Sequence, residues 1–327
     1  MSLARRLIAV ATLMFAGWAT ASWAADAASI PNLGGGAKLQ KTEAARRAED
    51  EKCTHCHDET ETRPILAIYQ TKHGVRGDAR TPTCQDCHGP SEKHLGGNID
   101  GTGRPRPDRI FGTHRTPAGY EPSSPQEQTE VCLSCHKAGL RMRWPGSQHQ
   151  SNDVPCAACH TNHTPQDKVL VKTEQPAVCF ACHKEQRAQI KQISTHPIDA
   201  GKISCSDCHN PHGSSGPKLL AKNTITETCF TCHADKRGPF LWEHQPVNED
   251  CTNCHTPHGS NITPLLKSRP PFLCIECHNG PHQSSGSTAI GSNTALASGT
   301  TYGARGCMNC HTMVHGSNSP AGAFLHR

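Results

Sequence analysis

All twenty cysteines of this 327-residue chain fall in Cys-x-x-Cys-His motifs. The first cysteines are Cys53, Cys84, Cys132, Cys156, Cys179, Cys205, Cys229, Cys251, Cys274 and Cys307. The second are Cys56, Cys87, Cys135, Cys159, Cys182, Cys208, Cys232, Cys254, Cys277 and Cys310. His57, His88, His136, His160, His183, His209, His233, His255, His278 and His311 close the motifs. Two thiols one short turn apart can add to the two vinyl groups on a porphyrin edge, and the next residue then reaches the iron; the spacing is the attachment signature of c-type haem. Zinc sites and disulfides also use Cys-x-x-Cys, but neither requires histidine at the following position. Histidine is 23 of 327 residues and occupies that position ten times in ten, so ten covalent haems are expected.

Thirteen histidines remain for the second axial position, against three methionines beyond the N-terminal segment: Met142, Met308 and Met313. Bis-histidine ligation is therefore the economical reading, and the scarcity of methionine points to low potentials. The distal candidates are His73, His94, His149, His163, His196, His212, His244, His258, His282 and His315, the bland alternative for each being a surface histidine. His55 lies inside an attachment loop, His114 in a Pro/Gly-rich stretch and His326 beside the C-terminus, and these three are set aside. An enzyme acting at iron needs an open position, often marked by an altered motif such as Lys for His; no motif here is altered.

The segments CSDCHNPHGS (205–214) and CTNCHTPHGS (251–260) nearly match and lie two motifs apart, so the repeating unit is a pair of haems. Histidine spacing alternates likewise. The next histidine comes late after His136, His183 and His233 (His149, His196, His244), and three residues on after His160, His209 and His255 (His163, His212, His258). On a helix, i and i+3 share a face, whereas trans axial ligands approach one iron from opposite sides. A short-spaced histidine should therefore serve a different haem from its own motif; the alternative is that these segments are loops and the histidines turn residues.

The elements that position these residues are short. Thr42–Lys52 and 184–193 read as helices; Gly, Pro, Ser and Asn interrupt the rest, notably 95–125 and 284–303, which read as surface or partner-contact loops. Strand alternation is absent. Aromatics are 4% of the chain, Gly and Pro number 28 and 24, and mean hydropathy is −0.60, so haems must stand in for a side-chain core. Residues 1–24 read as a cleaved signal peptide, with Arg5 and Arg6, an apolar Leu7–Gly17 and a small-x-small end at Ser22-Trp23-Ala24, rather than as a membrane anchor. The formal charge of +5 drops to +3 without them, and two propionates per haem then make the holoprotein acidic, so the basic balance is no argument for a nucleic-acid partner.

Beyond the attachment motifs, CSDCHNPHGS, CHADKRGPFLWEHQPV (232–247), CTNCHTPHGS and CMNCHTMVHGSNSP (307–320) resemble the periplasmic decahaem cytochromes of porin–cytochrome outer-membrane conduits, the MtrA/DmsE/MtoA type, from about residue 50 to the end. The resemblance implies a file of haems inside a large β-barrel porin. It also implies periplasmic or inner-membrane cytochromes as donors or acceptors on one side, and an extracellular multihaem cytochrome or iron itself on the other. The ten distal candidates sit where the family's distal histidines fall. A barrel suits the chain, because so polar and loop-rich a polypeptide could not face about 30 Å of hydrocarbon, whereas a barrel lumen is polar.

The expected fold is a multihaem cytochrome c, mostly irregular with short α-helices, little or no β-sheet and a haem-organised core of dihaem repeats. The signal peptide (1–24) is followed by an N-terminal segment with a short helix (25–52) and two pentahaem halves (53–190 and 191–327). The expected function is electron transfer between the periplasm and the extracellular side, outward to metals or inward from iron(II). A free periplasmic shuttle feeding a reductase and a multihaem redox enzyme are the alternatives.

Overall fold

In the computed structural model the described residues are 42–278, without 62, 76 and 98–102, and 307–325, without 321; they belong to a compact unit spanning Lys41–Arg327. Residues 1–24, read as a signal peptide, and His282, His326 and the 284–303 stretch lie outside them.

Helices end where odd-numbered motifs begin. Helix α1 (Glu43–Thr54) carries Cys53 in its last turn. Cys84–His88 forms α2, and α3 (Pro125–Leu133), α4 (Gln175–Cys179), α5 (Ile225–Phe230) and α6 (Phe272–Ile275) deliver Cys132, Cys179, Cys229 and Cys274. Even-numbered motifs after the first start on 3-10 turns instead, at Cys156–Ala158, Cys205–Asp207, Cys251–Asn253 and Cys307–Asn309. The starts are chemically fixed. The hydroxyl oxygen of Thr42 accepts from the Ala45 amide, and Thr83 with Asp86 and Ser124 with Glu127 form reciprocal caps. Thr42–Lys52 is thus a helix as its sequence predicts, while the 184–193 helix runs only over Lys184–Gln189.

Among the described residues there is no strand, only isolated antiparallel bridges of two recurring kinds. His209–Leu220 and His255–Leu266 close a loop behind an even motif, and Ser194–Ser260 and Trp242–Ser317 join one unit to the next. The junctions explain the repeated His-Gly pair. A Cβ at Gly213 would lie 2.2 Å from the Arg143 carbonyl oxygen, and one at Gly259 would lie 1.9 Å from that of Gln189. Only glycine lets the two backbones meet so closely.

Among the described residues the buried apolar side chains are Ala67, Ile110, Trp144 and Ile190, too few to hold a fold of this size together. The 103–124 stretch is irregular, as its composition predicts, but it is pinned. Gln128, 1% exposed, accepts from the Gly112 amide and donates to the Gly112 and Ser123 carbonyls.

Candidate haem-binding sites

Each attachment motif is one turn of helix or its tighter relative. The amide of the motif histidine donates to the carbonyl of the first cysteine at 2.9–3.0 Å in motifs one, three to five and six to ten, from His57 to Cys53 through His311 to Cys307. Both thiols and the imidazole are therefore presented from a single turn, as attachment at a porphyrin edge requires.

The structure then brings motif histidines and distal candidates together in nine facing pairs. These are His57–His94, His136–His73, His88–His163, His183–His149, His160–His212, His233–His196, His209–His258, His278–His244 and His255–His315. Their ring centres are 5.9–6.2 Å apart, while interplanar angles run from 7° to 84°. Aromatic packing couples distance to angle. A fixed distance with free rotation is instead what two rings on one central atom give: metal–nitrogen bonds of about 2 Å on either side place trans imidazoles roughly 6 Å centre to centre. His311 and His282 would make the tenth pair, but His282 lies outside the described residues. His55 and His114 are exposed, and among the described residues no imidazole faces them.

The hydrogen bonds choose which nitrogen is free. Nδ1 of His88 donates to the Arg109 carbonyl (3.0 Å), His94 to Pro105 (2.7 Å), His163 to Ile65 (2.7 Å), His209 to Lys218 (2.9 Å), His255 to Pro264 (2.9 Å) and His311 to Phe324 (2.6 Å). His149, His196 and His244 donate to the carbonyls of Pro211, Pro257 and Val314, each immediately before a short-spaced distal histidine. His57 and His160 use carboxylates, Glu61 at 2.8 Å and Asp167 at 2.7 Å, and His258 uses the Gln189 side chain at 3.1 Å. With Nδ1 spent as a donor, Nε2 is left as the metal ligand. Burial first of all lowers the pKa of His88, His136, His209, His212, His244, His258 and His315, favouring the neutral imidazole that can ligate.

Among the described residues no short-spaced histidine faces its own motif. His163 faces His88, His212 faces His160, His258 faces His209 and His315 faces His255, always the even motif two before. The expectation of a different haem agrees with this geometry, but its helical premise does not. Residues 160–163, 209–212 and 255–258 are not helical; in the last two, Pro211 and Pro257 also withhold an amide. The carbonyls and side chains that orient the imidazoles were not singled out from sequence. Any residue supplies a carbonyl, so only the acids at Glu61 and Asp167 left a signal.

The cysteines add an order. The first cysteines of successive motifs act on each other's acidity: Cys53 with Cys84, Cys132 with Cys156, Cys179 with Cys205 and Cys229 with Cys251, while Cys307 helps to raise Cys274 after burial. In the first four pairs one thiolate is stabilised by its partner's S–H, at about 7 for Cys53, about 6 for Cys156 and about 7 for Cys205 and Cys251, while the partner is pushed up. Between pairs, Cys87, Cys159, Cys208 and Cys254 are raised first by burial and further by the nearby Cys135, Cys182, Cys232 and Cys277. Among the described residues no three His, Cys, Asp or Glu side chains gather as a protein-only metal site, which separates this arrangement from a zinc cluster.

Paired attachment turns and facing imidazoles suited to a central iron define a c-type cytochrome that carries several haems. The doubled CXXCH family model matches residues 149–188, 196–238 and 244–283. The multiheme cytochrome MtrA of Shewanella baltica is 43% identical over 286 residues, 85% of this chain and 81% of that protein. The chain belongs to the MtrA family of multihaem cytochromes, which bind c-type haem covalently and carry electrons. It is also similar to the cytochrome c-type protein NrfB of Escherichia coli O6:H1, 27% identical over 36% of this chain and 72% of that protein. The NrfB of Haemophilus influenzae is 36% identical over 35% and 52%.

Proposed function

We propose that the chain holds ten c-type haems, each between two imidazoles, in a file that follows the order of the motifs. It would be the haem-bearing subunit of a porin–cytochrome complex, carrying electrons between the periplasm and the extracellular side of the outer membrane. The observation that carries this reading is the set of nine imidazole pairs at nearly constant separation. The alternating cysteine junctions support the file, because each motif from the second to the ninth has a cysteine influenced by, or influencing, one of the motif before and one of the motif after.

When bound, haem supplies one-electron chemistry at iron; the chain's residues do the rest. The twenty cysteines of the motifs would tether it, and the ten motif histidines would hold its iron. His73, His94, His149, His163, His196, His212, His244, His258, His282 and His315 would be the second histidines holding each iron, which suits electron carriage rather than substrate binding. The Nδ1 acceptors fix ring orientation, and short-spaced histidines clamp each even site to one further along. The two pentahaem halves, 53–190 and 191–327, are then joined by ligation, since His160 of one is served by His212 of the other.

Among the described residues no helix is long and apolar enough to cross a membrane, and the proposal assigns that crossing to a barrel partner. The relative named MtrA supports the conduit role, with periplasmic or inner-membrane cytochromes inside and an extracellular cytochrome or iron outside. Similarity of about a third of the chain to the NrfB proteins favours a second reading, a periplasmic shuttle without a barrel. Purification from detergent-solubilised outer membranes separates the two. Recovery of the chain with a barrel protein is expected, and recovery only in the soluble periplasm would overturn the conduit. Mass spectrometry should show ten added haems, and an unmodified peptide mass would end the haem reading altogether.

A further inference from the structure

The acceptors of the even-numbered motif histidines are not equivalent. His88, His209, His255 and His311 each donate to a backbone carbonyl, whereas His160 alone among them donates to a carboxylate, Asp167 Oδ2, at 2.7 Å. The sister loops after motifs six and eight show how the difference arises. There the acceptor carbonyls, Lys218 and Pro264, stand nine residues past the histidine, in turns with left-handed backbone at Lys218 and Leu219 (φ +51° and +59°) and at Leu265 (φ +57°). After motif four the matching carbonyl, that of Val169, is taken by the Gln175 side chain at 2.8 Å. Asp167 stands where the sisters have Gly216 and Ile262, and its side chain fills the acceptor's place.

Asp167 is also held for the task. Oδ1 accepts from the Thr161 and Val169 amides, both at 3.4 Å, which caps the turn Lys168–Leu170 and leaves Oδ2 aimed at the imidazole. The side chain is 14% exposed and its Oδ2 meets the His160 imidazole; among the described residues no lysine or arginine lies within salt-bridge distance. Glu61, which meets His57 in the same way, is 32% exposed.

We infer that Asp167 is a positioning residue that holds the haem site of His160 and His212 at a lower reduction potential than sister sites six and eight. The inference rests on the haem reading above. A charged acceptor makes a stronger hydrogen bond than a carbonyl and raises the basicity of the ligating imidazole. An electron-rich ligand with an unneutralised negative charge behind it favours the ferric state, and second-shell hydrogen bonding is one of the levers by which proteins set such potentials. Burial keeps solvent from screening that charge, so Asp167 acts more strongly than Glu61.

The test is a potentiometric titration of the full-length holoprotein, followed by visible absorption. Asp167→Asn, which keeps an acceptor oxygen and loses the charge, should move the amplitude of a single haem to higher potential. The expected size is about tenfold in the reduction equilibrium constant, 59 mV for one electron. Asp167→Ser repeats the neutralisation without the amide, Asp167→Glu should restore the low potential, and Glu61→Gln should shift its own site less. Haem content by mass and the low-spin ferric spectrum are read on the same samples. Full haem content with an unmoved titration in both neutral variants overturns the role of Asp167 and leaves the haem reading standing. A wild-type protein whose Cys156–His160 peptide carries no haem overturns the haem reading instead.

Discussion

A histidine whose Nδ1 is already donating has a single nitrogen left to offer a metal, and twelve of the candidate ligands here are in that position. His212 is different, because its Nδ1 is buried with no partner and its ring sits 6.3 Å from that of Trp144. His212→Ala should therefore leave covalent haem content unchanged, since thioethers hold the porphyrin, and convert one ferric centre from low to high spin, read by electron paramagnetic resonance. His212→Met should keep that centre low-spin and raise its potential, the direction in which methionine ligation acts. The attachment motifs and the nine distal candidates that face motif histidines were legible from residue type and spacing, because thioether chemistry fixes Cys-x-x-Cys-His and few other histidines remain; His282 lies outside the described residues. Which imidazole meets which could not, as partners such as His88 and His163 are joined by folding and not by any local period.

At the scale of elements, the dihaem repeat read from CSDCHNPHGS and CTNCHTPHGS reappears as helix-delivered odd motifs, turn-delivered even motifs and the bridges between units. The glycine after His212, His258 and His315 is where one unit rests on another. Gly259→Ala has no left-handed backbone to strain, yet its Cβ would press on the Gln189 carbonyl beside the acceptor of His258. The expected cost is about 1–3 kcal/mol, typical of overpacking, seen as a lowered midpoint of denaturant unfolding. Ser124→Ala removes the cap of α3 and should cost about 1 kcal/mol by the same measurement. The α1 helix was legible because Thr42 caps a run of helix formers. The bends after His160, His209 and His255 were not, because the i+3 spacing that suggested a helix arises equally when a turn aims successive histidines at different partners.

Over the whole molecule, the missing core was foreseeable from a mean hydropathy of −0.60, and four buried apolar side chains among the described residues agree with it. Stability must then come from haem attachment and ligation, as in small metal-dependent domains that are unfolded without their metal. Chain produced where haem is not attached should lack fixed tertiary structure, with no near-ultraviolet circular dichroism and rapid amide exchange throughout. Native-like protection in such a sample would count against a haem-built interior.

The ligation pattern also sets a timetable. A polypeptide is made N-terminus first, and on the proposed ligation the even sites from the second to the eighth motif take their second imidazole from a motif that has yet to emerge: His88 waits for His163, and His160 for His212. The first site also waits, for His94, but the later odd sites do not, since His73, His149 and His196 precede the motifs they serve. A nascent chain halted partway would thus carry completed odd centres and a trailing even centre still bare on one face, open to oxygen or stray ligands until the next unit arrives.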